Sequence, residues 1–161
     1  MSFRSIWWIF ALLLSLALSG CGNDGGRSSF VIEKSSGYGI EESVKRFSSS
    51  LSGKNYRLAS IYDHEKDALA NESFLTPTLT IELNNPKIST KLIGCDHNLA
   101  LELPIRVAIY NELNGTTRFA YTNPEYWSLK YNIKDKECLG LLMLISSDLK
   151  EASTAITGGK K

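Results

Sequence analysis

Few side chains in this sequence can carry out chemistry, and they are grouped around its two histidines. His64 follows Asp63, an arrangement in which a carboxylate can orient an imidazole as a base or as a metal ligand. Cys95 and His97 lie two positions apart, a spacing that can chelate a soft metal ion. One hypothesis is therefore a metal site formed by His64, Cys95 and His97. Another is an enzyme that uses His64 as its base.

The motifs that would define a known reaction are missing from the sequence. It contains no glycine-rich phosphate loop, no nucleophile elbow, no His-Glu-x-x-His pair and no Cys-x-x-Cys pair. No cofactor is therefore expected. The competing interpretation of the cysteine and the two histidines is that they are structural or solvated. A small binding or scaffold domain is then the preferred hypothesis.

Three polar residues are candidates for a binding site. His64 lies at a predicted strand-to-helix junction, and Asn85 lies beside Pro86 at the end of another predicted strand. We expect these two side chains to line one small polar cleft, with Arg106 as a partner for an anion. In the alternative interpretation, Asp63 only caps a helix, Asn85 only serves a turn, and His64 is solvated.

The first 29 residues have the features of an export signal and a membrane anchor. Ile6–Leu18 is an uncharged apolar run of about 20 Å as a helix, which is too short for a bilayer core of ~30 Å. Leu18-Ser19-Gly20-Cys21 resembles a bacterial lipobox. Residues 1–20 are thus predicted to be a lipoprotein signal peptide, Cys21 the lipidated residue and residues 21–29 a flexible tether. By resemblance to Gram-negative lipoproteins, Gly22 favours the outer membrane, facing the periplasm.

Lipidation of Cys21 would leave Cys95 and Cys138 as the remaining thiols in an oxidising compartment. We predict that they form a disulfide that closes a loop of about 40 residues. The alternative is that both are buried as small hydrophobic side chains. A disulfide would remove Cys95 from any metal site, so the two hypotheses compete.

The composition excludes several classes of protein. Of 161 residues, 43% are hydrophobic, which is typical of one globular domain rather than a disordered chain. The 18 basic and 17 acidic side chains nearly balance, and a nucleic-acid-binding protein would need a basic surplus. The same balance means that the membrane is expected to be contacted through the lipid and not through surface charge.

The hydrophobic pattern predicts alternating strands and helices between residues 30 and 152, followed by a disordered polar tail over residues 153–161. Asn114-Gly115 predicts a type I′ hairpin turn. Period 2 and period 3.6 define the following strands and helices: strands Phe30–Lys34, Tyr56–Tyr62, Leu79–Leu83, Ile105–Tyr110 and Thr116–Tyr121, and helices Ile40–Leu51, His64–Asn71, Ile88–Gly94, Glu125–Tyr131 and Cys138–Ala152. The residues predicted to form the core are these: Ile40, Val44, Phe47, Val107, Ile109, Leu142 and Ile145.

An ordered set of short motifs resembles the bacterial family catalogued as domain of unknown function 302. The residues that carry it are these: Asp63-His64 with Ala68, Leu75-Thr76-Pro77, Asn85-Pro86, Thr90, Leu92, Leu101-Glu102-Leu103-Pro104, Arg106, Tyr110, Asn114-Gly115 and Tyr121. The resemblance implies a single α+β domain, a mainly antiparallel sheet of about four to five strands with helices packed on it. It also implies a homodimer in many relatives and no established reaction. The sequence departs from the family at Asn84, where relatives have Gly, and at Tyr131, where many have His.

Overall fold

The computed structural model describes residues 30–158. The signal peptide, lipidated cysteine and tether predicted for residues 1–29 lie outside these residues, as do residues 159–161. No helix within residues 30–158 is long and apolar enough to cross a membrane. In chain order the elements are as follows: β1 (Val31–Ser35), α1 (Ile40–Ser52), β2 (Arg57–Asp63), α2 (His64–Ala70), β3 (Thr78–Asn84), α3 (Pro86–Cys95), a 3₁₀ helix (His97–Glu102), β4 (Ile105–Asn111), β5 (Thr117–Thr122), α4 (Pro124–Lys130) and α5 (Lys136–Thr157).

The five strands form one antiparallel sheet in the order β1-β5-β4-β3-β2. Ile81 of β3 lies opposite Val107 of β4, which in turn lies opposite Tyr121 of β5. Tyr121 also lies opposite Ile32 of β1. β4 and β5 are joined by a short hairpin, which antiparallel pairing allows, whereas α3 and the 3₁₀ helix lie between β3 and β4. The expected α+β fold with an antiparallel sheet is confirmed.

The core lies between one face of the sheet and four of the helices. Alternate residues of β3, β4 and β5 are buried on this face because successive side chains of a strand point to opposite sides. They pack in one cluster with apolar residues of α1, α3, α4 and α5. Of the residues predicted to form the core, all are buried except Ile40, which is only half-buried because it begins α1.

Polar side chains define where four of the helices begin. The carboxylate of Asp63 accepts a hydrogen bond from the Lys66 amide at 3.0 Å, so Asp63 caps α2 as expected. The side chains of Asn85, Asn123 and Asp135 accept equivalent hydrogen bonds and cap α3, α4 and α5. Each cap accepts a hydrogen bond from a backbone N–H group in the first turn of its helix, which would otherwise have no partner.

The prediction that residues 153–161 form a disordered tail is wrong for its first part, because α5 continues to Thr157. Ile156 is fully buried, and its carbonyl accepts hydrogen bonds from the Gly37 amide and the Ser36 hydroxyl. The Ser153 hydroxyl bonds to Leu149 within the helix and contacts Tyr121 of the sheet. The residues after Ala152 are mostly polar, so composition alone does not indicate that Ile156 continues the buried stripe of α5.

The β4–β5 hairpin forms where predicted, but its turn is not type I′. The Glu112 amide donates to the Thr116 carbonyl, and the Gly115 amide donates to the Glu112 carbonyl. Of these loop residues only Gly115 has a positive φ, at 82°, whereas a type I′ turn needs two. The loop therefore has three residues, with Gly115 in the left-handed position, and the Asn114 side chain accepts a hydrogen bond from the Thr116 amide.

Candidate functional site

His64 is the first residue of α2, directly after β2, and its side chain contacts β3. Its Nε2 atom is 2.8 Å from the Thr80 hydroxyl oxygen of β3, and its ring packs against the edge of the Tyr62 ring. The Tyr62 hydroxyl donates to the carboxylate of Asp67, which raises the pKa of Tyr62. Within the described residues the imidazole has no carboxylate partner, since Asp63 is used as the helix cap.

Asn85 has a structural role in the fold. Its side chain is 5% exposed, its Oδ1 accepts a hydrogen bond from the Ile88 amide, and its Nδ2 donates to the Lys54 carbonyl at 3.0 Å. The amide thus caps α3 and ties it to the loop after α1. Both polar atoms of the amide thus bond to the backbone.

His64 and Asn85 do not share a cleft, so the predicted joint site is wrong. His64 contacts Thr80 near the start of β3, whereas Asn85 follows the last residue of that strand. Asn85 lies five positions after Thr80 along the strand direction, which corresponds to about 17 Å. Arg106 lies opposite Glu82, between these ends, and its guanidinium donates to the Leu101 carbonyl.

The structure does not support the metal site proposed for His64, Cys95 and His97. Cys95 is joined to Cys138, with the two sulfur atoms 2.02 Å apart and the Cα atoms 6.2 Å apart. A disulfide sulfur offers no thiolate to a metal ion. Among residues 30–158 no group of three metal-ligating side chains is close enough to hold an ion.

The face of the sheet opposite the core carries a continuous set of polar and small side chains. We call it the open face, and its members are these: Tyr62, Thr80, Glu82, Arg106, Ala108, Tyr110, Arg118 and Ala120. The side chains from the three central strands are half-buried or exposed, since four of the helices pack on the opposite side. His64 borders this face through its contact with Thr80.

Hydrogen bonds hold the polar groups of the open face in place. The Ser60 hydroxyl donates to Glu82 at 2.8 Å. The Tyr110 hydroxyl and the Arg118 guanidinium both donate to Glu33 of β1. Burial and the neighbouring Glu33 carboxylate raise the pKa of Tyr110, which keeps its hydroxyl protonated as a donor.

Of the open face and its border, only Arg106 and His64 were among the site residues predicted from the sequence. Tyr110 and Thr80 escaped because neither belongs to a motif of known chemistry. A usable signal was nevertheless present, since strict alternation around Ile81 and Ile109 places Thr80 and Tyr110 on the face opposite the core. The alternation indicates a polar face of the sheet, and such a face contains no catalytic motif.

A second polar cluster lies where the 3₁₀ helix meets the end of α4. One carboxylate oxygen of Glu102 accepts hydrogen bonds from Lys130 at 2.6 Å and from the Tyr131 hydroxyl at 2.7 Å. Burial raises the pKa of Glu102, but the hydrogen bonds from Lys130 and Tyr131 and the positive charges of Lys130 and Arg106 together hold that pKa below its usual value. Tyr131, where the family resemblance implies a histidine, serves here as a donor to a carboxylate.

These features define a small α+β domain in which a helical layer covers one face of an antiparallel sheet and a polar face remains open. The match to known families agrees with this class. Residues 32–150 match the family described as domain of unknown function DUF302, and the chain belongs to that family.

A solved structure of the same family has this fold. The crystal structure of an uncharacterized conserved DUF302 protein from Bacillus stearothermophilus is similar with a TM-score of 0.72 and 19% sequence identity. The similarity covers 80% of this chain and 99% of that chain. At this level of identity the likeness shows the fold alone. No curated protein matches the sequence.

Proposed function

We propose that this protein is a lipid-anchored binding module of the bacterial cell envelope that contacts a protein partner through the open face of its sheet. The observation that carries the proposal is the open face itself. Four helices cover the other face and leave a row of ordered side chains along β3, β4 and β5 accessible. A pre-formed surface of this kind can bind without a large ordering cost.

The envelope location is supported by the sequence of residues 1–29. A short apolar run, a lipobox and a hydrophilic tether follow one another in the order found in lipoprotein precursors. Gly22 after the modified cysteine favours the outer membrane, with the domain in the periplasm. The balance of charges leaves the lipid as the feature that would hold the protein at the membrane.

The chemistry of the open face favours a protein partner. It carries positive charges at Arg106 and Arg118 and a negative charge at Glu82. A nucleic acid would require a surface of one positive sign, and a bilayer core would require an apolar one. Tyrosine and arginine, which this face contains, are the residue types enriched in protein interfaces.

Binding explains the geometry around His64 better than catalysis does. The imidazole and the Thr80 hydroxyl lie within hydrogen-bond distance, as a base and a nucleophile would. Within the described residues, however, no carboxylate bonds to His64 to fix its orientation. We therefore propose that His64 contributes to the border of the binding face and does not act as a catalytic base.

Photo-crosslinking in intact cells tests the proposal. A photoreactive amino acid placed at Ala108 or Ala120, which lie opposite each other on β4 and β5, should give one adduct of defined mass. Lys45 is the control, because it is exposed on α1, one of the helices that pack on the core side of the sheet. An adduct of twice the chain mass would identify the partner as a second copy. The proposal fails if Ala108 and Ala120 give no adduct, or if Lys45 gives the same one.

A further inference from the structure

An apolar hollow of about 460 Å³ lies between α4 and α5. Its apolar lining comes from Tyr126 and Leu129 of α4 and from Leu139, Leu142 and Met143 of α5. Leu129 is 76% exposed and Met143 is 64% exposed, so large apolar side chains stand free at its rim. The only charged residue in its lining is Glu125.

The described chain begins beside this hollow. The Phe30 ring centroid lies 3.8 Å from that of Tyr126, and the Phe30 carbonyl accepts a hydrogen bond from the Asn123 amide at 2.7 Å. Phe30 itself is 40% exposed. We call the surface formed by these neighbours the anchor-side patch, and its members are these: Phe30, Tyr126, Leu129, Leu139 and Met143.

We infer that the anchor-side patch lies on the lipid bilayer next to the anchor. This inference rests on the proposed lipidation of Cys21. Gly22–Ser29 would span only about 16 Å as a flexible chain, and it joins the domain at Phe30, which belongs to the patch. The tether therefore holds this end of the domain, rather than any other, within reach of the membrane.

The composition of the patch suits the boundary between lipid headgroups and acyl chains. Leu139 and Met143 are four residues apart on α5, and Tyr126 and Leu129 are three apart on α4, so each helix directs a row of apolar side chains to the same hollow. Surfaces of this type insert shallowly into the interface, where a tyrosine can keep its hydroxyl hydrated. A second copy of the chain is the alternative occupant, and quenching by brominated lipid distinguishes a bilayer from a second copy.

The hairpin tip provides a matched control position. Leu113 is 87% exposed, so it is as accessible as the patch residues. It lies beyond the first residue of β5, whereas Phe30 lies beside Asn123, just after the last residue of that strand. The two positions are thus at opposite ends of β5.

The experiment uses the full chain, expressed in a lipoprotein-processing host and reconstituted into phosphatidylcholine vesicles with brominated acyl chains. Leu129→Trp and Leu113→Trp are compared in a Trp127→Phe background. We expect brominated lipid to remove most of the emission at position 129 and almost none at position 113. Adding Met143→Asp should restore most of the emission at position 129. If Trp127→Phe does not fold, Trp127 is retained and its contribution is taken from the wild-type chain, in which it is the only tryptophan after residue 20.

Vesicle flotation separates failure of this inference from failure of the proposed anchor. If the chain floats with the vesicles but position 129 is not quenched, or is quenched no more than position 113, the anchor stands and the patch assignment is overturned. A crosslinked dimer through position 129 without quenching would assign the patch to a second copy. If the chain does not float, the anchor and the inference both fail.

Discussion

At the scale of single residues, Asp148 is the charged side chain that depends most on its partners. It is 4% exposed and is the only charged residue among residues 30–158 that is buried. Lys54 donates to one of its oxygens at 2.8 Å, and the Tyr56 hydroxyl donates to the other at 3.2 Å. Burial and the adjacent carboxylate raise the pKa of Tyr56. Asp148 therefore ties α5 to the segment between α1 and β2.

Removing the cation from this cluster should destabilise the fold. Lys54→Met leaves the buried Asp148 carboxylate with only the Tyr56 hydroxyl as a hydrogen-bond donor, and we expect the free energy of unfolding to fall. The Lys54 carbonyl, which accepts from Asn85, is unaffected by the change. Urea denaturation measures the effect. Glu151→Gln is the control, since this exposed partner of Lys54 should cost less than about 1 kcal/mol. Equal losses in the two variants would contradict the prediction.

Glu102 should make the stability depend on pH. Its pKa in the folded protein lies below the ordinary value of 4.5, so its ionised form contributes stability above that value and loses it as the pH falls through the folded pKa. The difference in unfolding free energy between wild type and Glu102→Gln should therefore shrink between pH 7 and about pH 3. Glu72→Gln, at an exposed position, is the control. A difference that is constant with pH would exclude this role.

At the scale of elements, an aromatic pair connects α1 to the sheet. Phe47 is fully buried, and its ring centroid lies 6.1 Å from that of Phe119 on β5. Phe47→Ala should lower the free energy of unfolding by about 3–5 kcal/mol, because it removes a large side chain and leaves a cavity. Denaturant unfolding measures this, with the exposed Lys45→Ala expected to change stability by less than about 0.5 kcal/mol. A loss below about 1 kcal/mol for Phe47→Ala would be inconsistent with its burial.

The disulfide connects the last residue of α3 to the first turn of α5, across a sequence separation of 43. Cys138→Ser should destabilise the protein by roughly 3–4 kcal/mol, because the unfolded chain loses the restriction of a closed loop. Chemical denaturation of the variant and of wild type measures the difference. Peptide mapping of denatured, unreduced wild type should recover both cysteines in one linked species, and recovery of two alkylated peptides would rule the bond out.

At the scale of the whole molecule, the two surfaces assigned to binding lie in different places. The anchor-side patch is formed mainly by α4 and α5, which pack on the core side of the sheet, whereas the open face lies on the opposite side of β3, β4 and β5. A domain that contacts the bilayer through the patch would therefore keep its open face accessible to a periplasmic partner. On the proposed function, anchoring and recognition use separate surfaces.

The anchor itself is tested by one substitution. Cys21→Ala removes the thiol that would carry the lipid, so the chain should become soluble or remain unprocessed. Membrane fractionation and electrophoretic mobility measure this, with Ser28→Ala in the tether as the control. A Cys21→Ala chain that fractionates and migrates like wild type would contradict the lipoprotein assignment.

Much of the fold was determined by the sequence itself. The helix of α1 and the strands β3 and β4 follow from local periodicity, because the solvent-facing and core-facing positions of each element repeat at a fixed spacing. The same spacing identified Phe47 and Val107 as core residues, and the cap at Asp63 was recognisable from its residue type. Local patterns are sufficient where the physical cause is local.

The candidate site required the tertiary structure. His64 and Asn85 both follow strands and look equivalent in the sequence, but the antiparallel register places them at opposite ends of β3. The end of α5 was likewise decided by contacts with Ser36 and Gly37, which are more than a hundred residues away in the chain. Strand register and long-range packing depend on contacts between segments that are distant in the chain, and the local spacing of residues does not determine those contacts.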